Sequence, residues 1–333
     1  MLVYVLIKKY KNIFIWNNCI DLEIHFSEVM IMALIVGIDL GNSNACCYNG
    51  EEKFIFSSTY AEGVDKLDLG YQVLYQGKKL LIGDTTIDYD YETDKERESK
   101  RIMMYTLLHL ACKNNDHVVI VTNCPVNDYL NKAKRISFKK FLSEKSMISL
   151  TVGLVTKTIF IDEVMVVPEG MGTVYRYPDF FKDRVVALSD LGGGEVNNAI
   201  YDHLNIVRKQ SFTEPNGIRF FERKIRDWFM KKGKKITDLE VKQIVKDPGD
   251  YSYDIDRHKT EYLDKLQSDL KSYNWSGMLP HFFTGGGVLT LGDKIEQKIP
   301  NSTISTDPLF DNCVGNYQIG VLMWESKKEK QKC

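Results

Sequence analysis

Three glycine turns, each following a run of apolar residues, constrain the fold of this chain more than any other feature. They are Val36-Gly37-Ile38-Asp39-Leu40-Gly41-Asn42-Ser43-Asn44, Leu188-Ser189-Asp190-Leu191-Gly192-Gly193-Gly194 and Phe282-Phe283-Thr284-Gly285-Gly286-Gly287. The apolar runs predict buried strands, and in the first two an aspartate stands where the strand ends. Glycines at such a point let the backbone aim N–H groups at a phosphate, and the aspartate can hold the water shell of a magnesium ion. Consecutive glycines at 192–194 are costly to order, by roughly 0.5–1 kcal/mol each relative to alanine, so a side chain must be sterically forbidden there. The pattern predicts a nucleotide clamp.

The chain has 333 residues, 44% of them hydrophobic, enough for a large core and about two domains. Its 44 Lys+Arg against 45 Asp+Glu give a net charge of −1, so the overall balance calls for no direct nucleic-acid partner and no anionic membrane. The seven cysteines include no C-x-x-C pair and read as reduced thiols, which points to a cytoplasmic protein. The six histidines are dispersed, which disfavours a transition-metal site. Near the start, the apolar run Leu2-Val3-Tyr4-Val5-Leu6-Ile7 is too short for a bilayer that needs about 20 residues. Its lysines follow the run, whereas a signal peptide puts them before it. Residues 1–31 are expected to be an N-terminal extension, with the working protein starting at Met30 or Met32.

Along the chain, Leu34 to Ser57 predicts a three-stranded meander with turns at Gly41-Asn42 and Asn49-Gly50. A second hairpin is expected around Gly77, then an acidic loop from Asp84 to Asp94, a helix over Ser99 to Lys113, and a buried strand from His117 to Val121. A further helix is expected over Asn127 to Ser143, with strands at Thr151–Leu154 and Ile159–Val167. The second half repeats the meander at Arg184–Ser189, Glu195–Asp202 and Leu204–Phe212. Helices follow from Gly217, capped by Asn216, from Thr237, and over Asp256–Ser272. A strand at Pro280–Thr284, a helix over Leu289–Lys298, a strand at Thr303–Ser305 and a closing helix from Tyr317 complete the pattern. No G-x-x-x-x-G-K-[ST] loop occurs, and no G-x-G-x-x-G follows a strand, so the two commonest nucleotide folds are disfavoured.

From about Met32 to Glu325 this order of motifs resembles the actin, Hsp70 and sugar-kinase superfamily, and within it the bacterial plasmid-segregation actins of the ParM type. The segment from Val36 to Asn44 is similar to the first phosphate motif, Asp190 to Gly194 to the second, and Thr284 to Gly287 to the adenosine motif. Val167-Pro168-Glu169-Gly170 resembles the first interdomain connection, and Asp311-Asn312-Cys313-Val314-Gly315-Asn316-Tyr317 the second. The resemblance implies an α/β fold of two similar actin-like, ribonuclease H-like domains around a nucleotide cleft. The expected units are domain I over 32–184 with a C-terminal helix at 316–333, and domain II over 185–315.

The resemblance also implies roles. Asp39 and Asp190 would hold Mg2+ through water and act in catalysis, and Glu169 would stand beside the water that attacks the γ-phosphate. Gly41, Asn42, Ser43 and Asn44, Gly192, Gly193 and Gly194, and Gly285, Gly286 and Gly287 would hold ATP or GTP, with Gly217 and Glu222 near the sugar. Two departures stand out: Glu195 occupies a position where a threonine is common, and Ala45 and Cys46 bring no lysine to the first loop. With no such lysine, charge neutralisation falls to magnesium and backbone dipoles. The implied function is a polymerising ATPase or GTPase whose filaments segregate plasmid DNA through a DNA-binding adaptor of the ParR type. The acidic loop at Asp84–Asp94 and the basic loop at Lys231–Lys235 can meet across subunits or remain solvated. The alternatives are a small-molecule kinase on the same fold, a chaperone-like binding protein, and a non-polymerising regulatory ATP-binding protein.

Overall fold

The computed structural model describes residues 33–63, 69–85 and 94–330. The expected extension at 1–31 and most of the acidic loop at Asp84–Asp94 lie outside the described residues. In chain order the strands are β1 (Leu34–Leu40), β2 (Asn44–Tyr48), β3 (Lys53–Ser57), β4 (Tyr60–Glu62), β5 (Tyr71–Tyr75), β6 (Lys78–Ile82), β7 (His117–Cys124), β8 (Met147–Val152), β9 (Val155–Pro168), β10 (Val185–Leu191), β11 (Val196–Asp202), β12 (Asn205–Ile206), β13 (Phe212–Glu214), β14 (His281–Thr284) and β15 (Ser302–Ile304). The helices are α1 (Glu98–Ala111), α2 (Val126–Leu130), α3 (Lys132–Leu142), α4 (Met171–Arg176), α5 (Pro178–Phe181), α6 (Ile218–Lys231), α7 (Asp238–Lys246), α8 (Ser252–Ser272), α9 (Gly287–Leu291), α10 (Lys294–Lys298) and α11 (Asp311–Lys330).

Two mixed sheets carry these elements. The first runs β3-β2-β1-β7-β9-β8-β5-β6-β4, and the second β12-β11-β10-β14-β15, with β13 also on β11. Each contains the same unit: an antiparallel meander whose first strand is continued by a parallel neighbour, β7 beside β1 and β14 beside β10. Parallel neighbours demand helices on both faces, which is why residues 118–121 of β7 and 185–188 of β10 read as apolar runs. One face of the first sheet buries Val36, Ile38, Ile120 and Ile161 with Met104, Leu107 and Leu108 of α1. Its other face sets Val119, Val121 and Met165 against Ile319 of α11. In the second sheet Leu191, Val196 and Phe283 pack on Phe221 and Ile225 of α6 and Leu263 of α8. Val186, Leu188 and Phe282 close the opposite face with Val174 of α4 and Phe181 of α5.

Local chemistry redraws several predicted elements. The stretch from Asn127 to Ser143 is two helices, because the Asn131 side chain accepts hydrogen bonds from Ala133 N and Lys134 N and starts a new helix. Leu289 to Lys298 is likewise interrupted by Gly292, whose φ of +52° is left-handed. Gly153 and Leu154 form the turn between β8 and β9 rather than the end of a strand. Asn216 does not cap α6; Gly217 is the cap residue, without a side-chain bond. The third strand of the second meander is broken into β12 and β13 around a 3-10 turn at Arg208–Gln210. The closing helix begins at Asp311, six residues earlier than Tyr317, so the expected unit boundary at 315/316 falls inside it. At Thr237 the expected start holds, with the reciprocal Thr237–Glu240 capping box in place.

Candidate functional site

Asp39 near the end of β1 and Asp190 near the end of β10 occupy equivalent places in the two sheets, since each lies on the strand shared by meander and parallel neighbour. Both line one cavity of about 310 Å3, at the low end of the roughly 300–1,000 Å3 usual for small-molecule sites. Gly41, Asn42, Ser43 and Asn44 of the first turn, Gly192, Gly193 and Gly194 of the second, and Gly285 and Gly286 of the third share its wall with Glu169 and Glu222. The turns from the two sheets touch: a Cβ placed on Gly193 would collide with Ser43 Oγ and lie 2.8 Å from Ser43 Cβ. Gly285 is required twice over, by its φ of +84° and because a side chain there would enter the space of the Asp190 carboxylate.

Two of the expected contact residues stand behind the wall rather than in it. Neither Gly217 nor Gly287 is among the lining residues. A Cβ on Gly217 would lie 2.5 Å from Glu195 N and 2.6 Å from Gly193 O, so this glycine lets α6 approach the second turn. Ile218 N donates to Gly192 O at 2.9 Å and Arg219 N to Gly193 O at 3.0 Å, so unsatisfied helix donors hold the turn in place. A Cβ on Gly287 would lie 2.8 Å from Leu191 Cβ, which makes it a packing glycine.

Glu169 lies in the turn between β9 and α4, ahead of the helix rather than in its first turn. Its carboxylate receives Lys95 Nζ on one oxygen and Asn197 Nδ2 on the other. Asn197, on β11, also accepts from Val126 N at 3.0 Å and Thr213 Oγ1 at 2.6 Å. One carboxylate is thereby held by the segment ahead of α1 on one oxygen and by β11 of the second sheet on the other. Asn312, in the first turn of α11, donates to Asp190 Oδ2 at 2.7 Å and accepts from Gly170 N at 3.2 Å. The helix start is itself fixed by Asp311, which accepts from Thr284 Oγ1 at 2.5 Å and from Tyr177 Oη at 3.1 Å.

Five carboxylates line this space, and four of them, Asp39, Glu169, Asp190 and Glu195, act on one another. Burial raises the pKa of Asp39, and Lys95 pulls it back. Burial, followed by Glu169 and Asp39, pushes Asp190 well above the ordinary carboxylate range. Burial and Glu169 push Glu195 up to about 8, against the pull of Lys95. Lys95 itself is pushed up by Glu169, Glu195 and Asp39, although burial alone would lower it. Glu195 lines the cavity, and its buried Oε1 has no hydrogen-bond partner among the described residues. Because its folded-state pKa is raised from 4.5 to about 8, its contribution to stability is complete below pH 4.5 and is lost as pH rises towards 8. The protein without nucleotide or magnesium should therefore unfold at lower temperature at pH 9 than at pH 6. Glu195→Gln should flatten that slope, as followed by circular dichroism.

Asp39 Oδ1 is also buried without a hydrogen-bond partner among the described residues, and Asp39 and Asp190 are the two carboxylates at matching strand ends. That is a fitting place for a divalent cation, which would relieve the crowded negative charge. Among the described residues no group of three or more His, Cys, Asp or Glu forms a cage, so phosphate oxygens and water would complete the shell, as magnesium prefers.

Cationic residues that the motifs did not reveal complete the site. Ala45 and Cys46 bring none, as expected, but Lys95 and Lys242 line the cavity and Lys100 stands beneath the first turn. In the sequence Asp94-Lys95-Glu96-Arg97 looks like a solvated run of alternating charge, and Lys100 like one lysine of a helix. Only the packing of α1 beneath β1 and β2 brings them in. Asn197 gave no signal, being one polar residue within a strand.

Residues 37–172 match the family model for the N-terminal domain of actin-like proteins. No match was found by sequence among curated proteins. By structure the chain is similar to the apo psk41 ParM protein, at 18% identity and TM-score 0.68, covering 88% of this chain and 98% of that one. It is similar to ParM in a 15-stranded filament from Clostridium botulinum, at 16% identity and TM-score 0.72, covering 87% and 99%. It is also similar to the archaeal actin homologue Ta0583 in complex with ADP, at 14% identity and TM-score 0.72, covering 86% and 99%. At these identities the likeness is one of fold, two sheets arranged as in actin-like proteins.

Proposed function

We propose, on the premise that this chain is an actin-like protein of the ParM type, that it binds Mg2+ with ATP or GTP between its two sheets, hydrolyses the nucleotide and polymerises under its control. One observation carries the reading. Asp39 and Asp190, at matching strand ends of two sheets, line a single cavity with three glycine turns. A triphosphate there contacts turns from both halves at once, so its γ-phosphate favours closure and its loss relaxes it. We assign the halves to residues 32–184 with 316–333, and to 185–315.

In this reading Gly41, Asn42, Ser43 and Asn44 and Gly192, Gly193 and Gly194 surround the phosphates. Gly285 and Gly286 approach the α-phosphate and sugar, and Glu222 lies at the sugar end. Bound Mg2+ would neutralise phosphate charge, held through water by Asp39 and Asp190. Glu169, kept in place by Lys95 and Asn197, orients the attacking water and takes up its proton. Filament growth is supported by the ParM filament among the similar structures. By the same resemblance, filaments of this chain move plasmid DNA in the cytoplasm through a DNA-binding adaptor of the ParR type. Among the described residues no helix is long and apolar enough to cross a membrane.

Light scattering of the purified protein with Mg2+ and ATP or GTP tests the proposal. The expected trace rises on nucleotide addition and decays as phosphate is released. Turnover that needs an added sugar or acid, with no scattering, would replace it with the kinase reading.

A further inference from the structure

Lys100 is a lysine on α1 that is only 2% exposed. Its Nζ donates to Gly41 O at 2.6 Å and to Leu40 O at 3.3 Å, and no carboxylate among the described residues forms an ion pair with it. Two carbonyl groups of the first turn are thus aimed at a buried ammonium. In a planar trans peptide the N–H of the next residue points opposite to the carbonyl. The N–H groups of Gly41 and Asn42 are therefore directed away from Lys100, and both residues line the cavity.

A lysine placed so is an unfavourable part of the protein on its own. Burial, with Lys95, Arg97 and Arg219 nearby, holds its pKa well below the ordinary lysine range, and Asp39 pulls the other way. Carbonyl dipoles compensate the desolvation of an ammonium only in part. Gly41 O, moreover, already accepts from Ser58 Oγ at 2.6 Å, so the turn does not need Lys100 to satisfy that carbonyl. What this position lacks is an anion on the other side of the turn.

We propose that Lys100 is a positioning residue for the nucleotide phosphates, a cation behind the first turn that sets the turn's peptide planes and supplies positive field through them. It rests on the nucleotide reading above and adds to it a cation from outside the motifs. The charge never touches the ligand. Because it lies behind a turn that faces the phosphates common to di- and triphosphates, it strengthens both nucleotides rather than distinguishing them. Its removal is expected to leave the ligand-free protein unharmed, since an unpaired ammonium out of water carries a desolvation cost that an apolar side chain of similar length does not.

The test compares wild type, Lys100→Met and Lys100→Gln by calorimetric titration with Mg–ADP and Mg–AMP-PNP, and by thermal unfolding without nucleotide. For Lys100→Met the expected result is a loss of roughly 10-fold or more in affinity for both nucleotides, the scale of a unit charge acting through a buried turn on nearby phosphates. The ligand-free unfolding temperature should be unchanged or higher. A residue that merely braced the turn would lower that temperature instead. Lys100→Gln keeps a donor for the carbonyls but no charge, and should lose affinity to the same extent. Affinity in Lys100→Met within about twofold of wild type overturns the proposal, because a unit charge acting through a buried turn is worth more than that. So does full affinity in Lys100→Gln, which decides the matter alone if Lys100→Met does not fold. Wild-type protein that binds neither nucleotide is a separate result: it refutes the nucleotide reading itself, and this inference with it.

Discussion

Glu169→Gln should bind Mg–ATP or Mg–GTP about as well as the wild type yet release phosphate 10²–10⁴-fold more slowly, roughly the range that general-base positioning supplies. Glu169 sits in the cavity with one carboxylate oxygen on Lys95 and the other on Asn197, so its orientation is set before any ligand arrives. The glutamine amide keeps the shape and a carbonyl oxygen able to receive one of those donors, but it cannot accept a proton from water. Loss of rate with retained affinity separates this role from a structural one. If filaments form with nucleotide, the variant should build them and fail to disassemble them, so the scattering plateau persists. Phosphate release within about twofold of wild type would remove Glu169 from the chemistry, since positioned bases contribute far more.

Gly315→Val should strongly destabilise the protein although Gly315 lies outside the cavity. A Cβ at Gly315 would collide with the carbonyl of Gly172 and lie 2.7 Å from Gly172 Cα, while one on Gly172 would lie 2.7 Å from Asn312 Cα. Helices α4 and α11 therefore cross backbone against backbone, and β1 presses on the same helix through Gly37, where a Cβ would lie 3.0 Å from Tyr317 Cα. No flexible side chain can yield at this crossing. Overpacking of this kind costs about 3 kcal/mol or more, and the strain reaches Asn312, which holds Asp190. Chemical denaturation should show the midpoint falling, and the fraction that folds should bind nucleotide more weakly. Wild-type stability with unchanged binding would show that the crossing has room the structure denies it.

Much of this architecture was legible from residue order. Strand β7 announces itself because a strand buried on both faces carries a continuous apolar run, here residues 118–121, and the glycines at 41, 192 and 285 because a turn that presses backbone against a neighbour tolerates no side chain. The helix ends were less legible, since Asn131 acts through one side-chain oxygen and Gly292 through one dihedral angle, neither of which a hydrophobic period registers. Lys95, Lys100 and Asn197 were illegible for another reason. A lysine in a charged run and an asparagine in a strand become site residues only when distant segments pack.

Read alone, the chain determined two copies of a meander, three glycine turns and an aspartate closing each matching strand, because steric and polar demands of that kind act between neighbours in sequence. Which cations face those aspartates, which amide aims Glu169, and which glycines serve packing rather than the cavity were decided only in the folded molecule. Electrostatic energy depends on separation in space, and residues as far apart as Asp39, Lys95, Asn197 and Asn312 acquire theirs only once the two sheets and α11 have come together.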